Sequence, residues 1–211
     1  MCFQKHVRPS AAVGGGIGHY DRGRRMIREV IVTSQSPSGR VHLAPMGIHV
    51  LGEEMLLMPF RPSTTLDNVL ASGQAVMNYT DDVRIFAGCL TGRRDWPLVA
   101  GERSGGIRLA GALAHAELEL VRHEDDELRP RLYCRVVHEA THAPFRGFNR
   151  AQFSVLEAAI LVSRLHMLPP EKIEAELAYL RIGFDKTAGP AEQEAWSWLM
   201  EKIADHRSRL E

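Results

Sequence analysis

The chain has 211 residues, of which 45% are apolar, enough for one domain with a real core or one domain with an appendage. Lys plus Arg (26) equals Asp plus Glu (26), which argues against a general nucleic-acid or anionic-membrane surface. No apolar run approaches the roughly 20 residues that span a bilayer, residues 1–20 hold no secretory apolar stretch, and three cysteines are too few for a disulfide framework; a soluble, reduced, cytoplasmic protein is expected.

Residues 1–25 carry Gly14, Gly15, Gly16, Gly18 and scattered basic residues with no period, so a flexible tail is expected there. A dinucleotide-binding glycine loop would need a strand before it and a helix after it, and neither pattern is present. Patterned sequence begins at Met26, which also suits a start residue. From there to residue 143 the chain reads mainly as strands. Glu29–Ser34 is β-branched, Ser36-Pro37-Ser38-Gly39 is a turn, and Val41–Val50 is the next strand. In that strand the apolar positions are odd at Val41 and Leu43 but even at Met46, Ile48 and Val50. A change of phase suggests an extra residue, so a bulge is expected at Ala44-Pro45, where proline's missing N–H is tolerated.

Gly52-Glu53 turns the chain into a strand over Met55–Phe60. A short helix then starts within Pro62–Thr65, shows an apolar face of Leu66, Val69 and Leu70, and ends at Gly73. Gln74–Thr80 is a strand, Val83–Leu90 fits a strand or an irregular segment, and Asp95–Gly106 reads as loop. Ala114–Arg122 and Arg131–Glu139 form a final hairpin, with Asp125-Asp126 near its turn.

After Pro144 the period becomes helical. Asn149 suits a helix cap, with Gln152 as its capping-box partner, and the wide apolar arc of Phe153, Val155, Leu156, Ala159, Ile160 and Val162 predicts a largely buried helix. Pro169-Pro170 opens a second helix through Ile173, Leu177 and Leu180. A third runs from about Ala191 to Arg207 with Trp196, Leu199, Met200 and Ile203 inward. The expected fold is mainly β with C-terminal helices (α+β). It divides into a tail (1–25), an antiparallel barrel of six or seven strands (26–143) and a helical segment (144–211).

The stretch Arg61-Pro62-Ser63-Thr64-Thr65-Leu66-Asp67-Asn68 places a guanidinium and three hydroxyls at a helix start. Unpaired N–H groups and a partial positive charge favour an anion there, and arginine's planar fork matches phosphate oxygens. Simple N-capping by Ser63 or Thr64, with Asp67 in the capping-box position, is the competing reading. His138-Glu139-Ala140-Thr141-His142 matches the HExxH pattern of zinc hydrolases, for which Glu157 is the best available third ligand. That chemistry needs a helix, whereas Leu132–Val137 is strand-like, and on a strand residues four apart lie about 13 Å from each other. No metal is expected from the motif.

The order of motifs carries a resemblance. His42-Leu43-Ala44-Pro45-Met46-Gly47, then Thr65-Leu66-Asp67-Asn68, then Gly73-Gln74-Ala75-Val76-Met77-Asn78 resembles the flavin-reductase-like branch of the FMN-binding split β-barrels. In that branch Asn is usual where His42 stands, and Ser or Thr where Gly47 stands. With Arg146-Gly147-Phe148-Asn149-Arg150-Ala151 and Val155–Ile160 added, the chain is more closely similar to the family catalogued as domain of unknown function 447. The resemblance covers nearly everything after Met26. It implies FMN as cofactor, an oxidoreductase acting with a small-molecule substrate or electron donor, and a homodimer with flavin near the interface. It also implies a possible place in tetrahydromethanopterin-dependent one-carbon metabolism. A flavin carrier without turnover is the alternative reading. Carried onto this chain, the resemblance puts Arg61, Ser63, Thr64, Thr65 and Asn68 at the phosphate, and the backbone of Ala44, Pro45, Met46 and Gly47 at the flavin ring. Asn78 would be a second contact. Asn149 and Arg150 would reach the flavin across the dimer, or else serve as a helix cap and a surface charge. Trp96 would cover a ring or pack. The sequence nominates no general acid or base.

Overall fold

A computed structural model describes residues 26–209; the expectations for residues 1–25 lie outside it. Strands β1 (Met26–Gln35), β2 (Val41–Leu51), β3 (Glu54–Leu57), β4 (Gln74–Tyr79), β7 (Ala114–Glu124) and β8 (Arg131–Thr141) close into an antiparallel barrel. Its order is β1-β2-β3-β8-β7-β4, and β4 pairs back onto β1. Alternation along each strand sends one set of side chains inward. Val30, Val32, Ile48, Leu57, Ala75, Met77, Ala116, Leu118, Leu132 and Cys134 form this inner core, and Leu66 and Val69 of helix α1 (Thr64–Ser72) join it.

β2 contains no bulge. It stays in unbroken register with β1 from Met26↔Val50 to Gln35↔Val41, with Pro45 opposite Ile31. The phase change has another cause, because different faces of the strand are covered along its length. Ile48 points into the barrel, whereas Leu43 points outward and is buried with Ile31 beneath a helix. Bulges do occur in the β7–β8 hairpin, where the register shifts at Glu117/Leu118 and again at Leu120/Arg122. Val137 and Val121 are left without partners, and each shift reverses which parity faces the core.

The covering helix is α2 (Val83–Thr91), where the sequence suggested a strand or irregular chain. Its apolar residues show no clean period because it is covered on two sides. Ile85, Phe86 and Cys89 pack on the barrel's outer face, and Val83 and Ala87 pack into the helical cluster. The local signals were its ends. Asp82 Oδ1 accepts from Arg84 N at 3.1 Å, and Gly92 closes the helix with φ of 89°. We expect Asp82→Ala to lower stability by about 1 kcal/mol, read as a shift in the urea midpoint.

The segment 95–106 is not wholly loop; β5 (Leu98–Ala100) and β6 (Ile107–Leu109) make a small antiparallel ribbon over the barrel. Helices α3 (Arg150–Ser163), α4 (Pro170–Thr187) and α5 (Pro190–Ser208) follow as expected, and Ala158, Ile173, Phe184, Trp196 and Leu199 are buried among them. Among the described residues no helix is long and apolar enough to cross a membrane.

Candidate functional site

The helix start expected within Pro62–Thr65 is observed at the end of the barrel. Ser63 caps α1, its Oγ accepting from Leu66 N at 3.3 Å while its carbonyl accepts from Asp67 N at 3.1 Å. The first-turn N–H groups of Thr64 and Thr65 have no acceptor within the helix, and they carry the positive end of its dipole. Thr65 is only 1% exposed, and its Oγ1 has no hydrogen-bond partner. A buried hydroxyl without a partner is costly unless something supplies one. Asn68 is committed inside, donating from Nδ2 to Ser34 Oγ at 3.1 Å and tying α1 to β1. Arg61 stands at the rim and meets Asp125 of the β7–β8 turn. Both side chains are exposed, so the pair is screened and readily exchanged.

Ala44, Pro45, Met46 and Gly47 lie half-buried in the middle of β2. β3 pairs with β2 only at His49, Val50 and Leu51, so this stretch has a strand neighbour on one side alone. Met46 packs toward the inner core. Gly47 is fixed by its neighbours in β1: a Cβ there would stand 2.9 Å from Ile27 Cγ2 and 3.0 Å from Glu29 Oε1. The serine or threonine usual at this position would require the side chains of Ile27 and Glu29 to shift. Burial, and then the charge of Glu157, raise the Glu29 carboxyl above its ordinary range, partly offset by Arg164. His42 lies against Arg94, Nδ1 to Nη1 3.1 Å, and burial followed by that cation lowers its pKa.

Other expected contacts are occupied within the chain. Asn78 is fully buried; its Nδ2 donates to Ile31 O at 3.0 Å and Thr33 Oγ1 at 3.2 Å, and its Oδ1 accepts from Leu109 N at 2.7 Å. Its amide knits β4, β1 and β6 together. Asn149 is the cap of α3, accepting from Ala151 N at 2.7 Å and donating to Thr187 O at 3.1 Å. Arg150 follows it, exposed. Trp96 packs beside Gly88 of α2 and donates to Arg93 O at 3.2 Å. Burial pushes the thiols of Cys89 and Cys134 up to about 11 and about 12, so neither is a ready nucleophile.

The HExxH pattern lies at the end of β8, on a strand, which removes the helical geometry of a zinc protease. The Val137 bulge turns His138 to the outer face, opposite Glu117 of β7, with Ala140 opposite His115. His138 and His142 thereby flank His115. That grouping was not legible from the motif, whose two histidines lie in and just past β8 while the residue between them comes from β7.

Hollows among the described residues include two on the surface. One of about 80 Å³ is lined by the ends of β1 and β4 with Gly106 and Ile107, and one of about 200 Å³ by Val162, His166, Lys202 and neighbours on α5. Neither borders Arg61–Asn68 or Ala44–Gly47.

The family described as protein of unknown function (DUF447) matches through its N-terminal domain at residues 28–143 and through its second part at 149–201. The chain belongs to the DUF447 family. This DUF447 protein shares its fold with the crystal structure of an FMN-bound protein of the same family from Methanosarcina mazei: TM-score 0.72 and 22% identity, covering 85% of this chain and 96% of that one. Weaker likenesses reach a 2-nitrobenzoate 2-nitroreductase from Pseudomonas fluorescens (TM-score 0.49, 19% identity, 64% and 77% of the two chains). Another is an FMN-binding protein from Thermus thermophilus with bound 1-cyclohex-2-enone (TM-score 0.45, 20% identity, 64% and 80%). No curated protein matches the chain. The antiparallel barrel with C-terminal helices expected from the residues is the fold observed, and it agrees with the split barrel that the resemblance implied.

Proposed function

We propose that this DUF447 protein binds FMN non-covalently and acts as an oxidoreductase on a small molecule. The observation that carries the reading is the fold it shares, over 96% of the other chain, with an FMN-bound member of its own family. The chain's own residues suit the ligand. Thr65 Oγ1 is a buried hydroxyl lacking a partner at a helix start whose free N–H groups favour an anion. Arg61 exchanges its exposed partner Asp125 for the phosphate. Backbone groups of Ala44 to Gly47, on the side of β2 without a strand neighbour, line the flavin ring. Bound flavin supplies hydride acceptance and donation; the protein's part is to orient the ring, hold its phosphate and limit water.

A second copy completes the site in this reading. Phe145 (55%) and Phe148 (99%) stand exposed in edge contact, their ring centroids 5.1 Å apart. In this reading a second copy covers that apolar pair. Arg150 is the candidate contribution from the partner copy.

Arg61→Ala and Thr65→Val test the placement. Each is expected to weaken FMN by about tenfold or more, the scale of one charge-assisted hydrogen bond, while leaving riboflavin affinity unchanged. Thr65→Val should not lower the stability of the flavin-free protein, since its hydroxyl bonds nothing there. Equal loss for FMN and riboflavin would refute this placement. Reduction of bound flavin by NADH or NADPH, followed by turnover on an acceptor, separates an enzyme from a carrier.

A further inference from the structure

The outer face of β7 and β8 gathers ionisable side chains that the flavin reading does not use. His115 and Glu117 are both wholly buried there, although the rest of that strand's buried set is apolar. The segment before β6 folds over them. Glu117 Oε1 accepts from Arg103 N at 3.0 Å and also from Glu102 N, and its Oε2 accepts from Ser104 N. This pins Glu102 above the histidines, with Glu102 Oε2 2.8 Å from His138 Nε2. One donor atom each from Glu102, His115 and His138 lies within 4.8 Å of the others.

We propose that Glu102, His115 and His138 form a binding site for a divalent transition-metal ion of the zinc class. Two imidazoles and a carboxylate are borderline N/O donors, which favour zinc, cobalt or nickel over magnesium or calcium. A tetrahedral ion with bonds near 2.1 Å spaces its donors about 3.3 Å apart. The site reaches this if Glu102 moves back from His138 by about half an ångström and the imidazoles close in. Glu102 has the freedom to do so, its side chain being 48% exposed on the covering segment. Ligation by His115 replaces one of the two contacts that its ring nitrogens make. One ring nitrogen faces His142 Nε2 at 2.9 Å and the other faces Glu117 Oε1 at 3.4 Å. Whichever nitrogen binds the ion, the other keeps a partner, as ligating histidines require. His138 is 20% exposed, so the ion has a way in and a fourth position is open to water or a ligand. The set shares only His138 with the first two HExxH positions and uses no helix. Its residues are separate from those given to flavin, so failure of either reading leaves the other standing.

The test uses the full, untagged chain, stripped with a chelator and titrated with Zn(II) by calorimetry and with Co(II) by visible absorption. Stoichiometric binding is expected that survives excess Mg(II). Glu102→Gln and His138→Ala should each weaken it at least tenfold, and His123→Ala, on the exposed end of β7, should leave it unchanged. Zn(II) should raise the melting temperature of the wild type but not of Glu102→Gln. Absence of zinc binding by the wild type, or wild-type affinity in Glu102→Gln, overturns the proposal. The glutamine variant decides the matter even if His138→Ala does not fold, because its side chain is half-exposed and nearly isosteric.

Discussion

Asn78→Asp is expected to lower stability by about 3 kcal/mol, although it changes a single atom group. The wild-type amide donates to Ile31 O and Thr33 Oγ1, and a carboxylate has no hydrogen to give. The substitution sets a charge against a carbonyl in a site with no solvent exposure. Only the bond from Leu109 N at 2.7 Å has a natural acceptor left. For a chain of this size a loss of about 3 kcal/mol moves the urea midpoint by roughly 1.5 M. FMN affinity, measured below the unfolding transition, should stay near the wild-type value. A large drop in affinity with unchanged stability would show instead that Asn78 faces the ligand.

Glu117→Ala should have an effect of similar size, about 3 kcal/mol, for the opposite reason. Here a buried acceptor is deleted and its donors are orphaned. Burial alone would raise the Glu117 carboxyl, but hydrogen bonds from Ser104, Glu102 and Arg103 outweigh it and hold the pKa at about 2. The carboxylate is therefore charged at any working pH, and the backbone N–H groups of residues 102–104 are folded around it. Gly101 belongs to the same packing, since a Cβ there would stand 3.0 Å from the Glu117 carboxyl. Glu117→Gln keeps the shape but turns an amide N–H₂ toward N–H donors, so it should recover only part of the loss. Urea unfolding measures both, and faster hydrogen exchange at residues 101–106 should accompany them.

Asn78, Glu117 and α2 show where sequence reading stops. Period-two strands, the glycine after α1 and the two prolines before α4 are local signals, and the barrel and the C-terminal helices follow from them. The phase change in β2 was a true signal with more than one physical cause, and only the packing of α2 shows that a covered outer face produced it. The real bulges are at Val121 and Val137, both in runs that read as ordinary strands. Asn78 was matched to a flavin contact by its place in the Gly73–Asn78 strand that follows the helix, but which way its amide points depends on β1 and β6, distant in the chain. Glu117 and His115 were visible as polar residues inside an apolar strand. Their meaning required the covering segment and the parity reversal in β8. The helix start at Arg61–Asn68 was legible because its cap and preceding arginine are local signals; that Thr65 Oγ1 lacks a partner was not.

The most direct test of the account is the visible absorption of the purified chain, followed by titration of the flavin-free protein with FMN. We predict a yellow protein, or a colourless one that takes up FMN in stoichiometric amount with an affinity lost in Arg61→Ala. A folded chain that is colourless and binds no added FMN would contradict it.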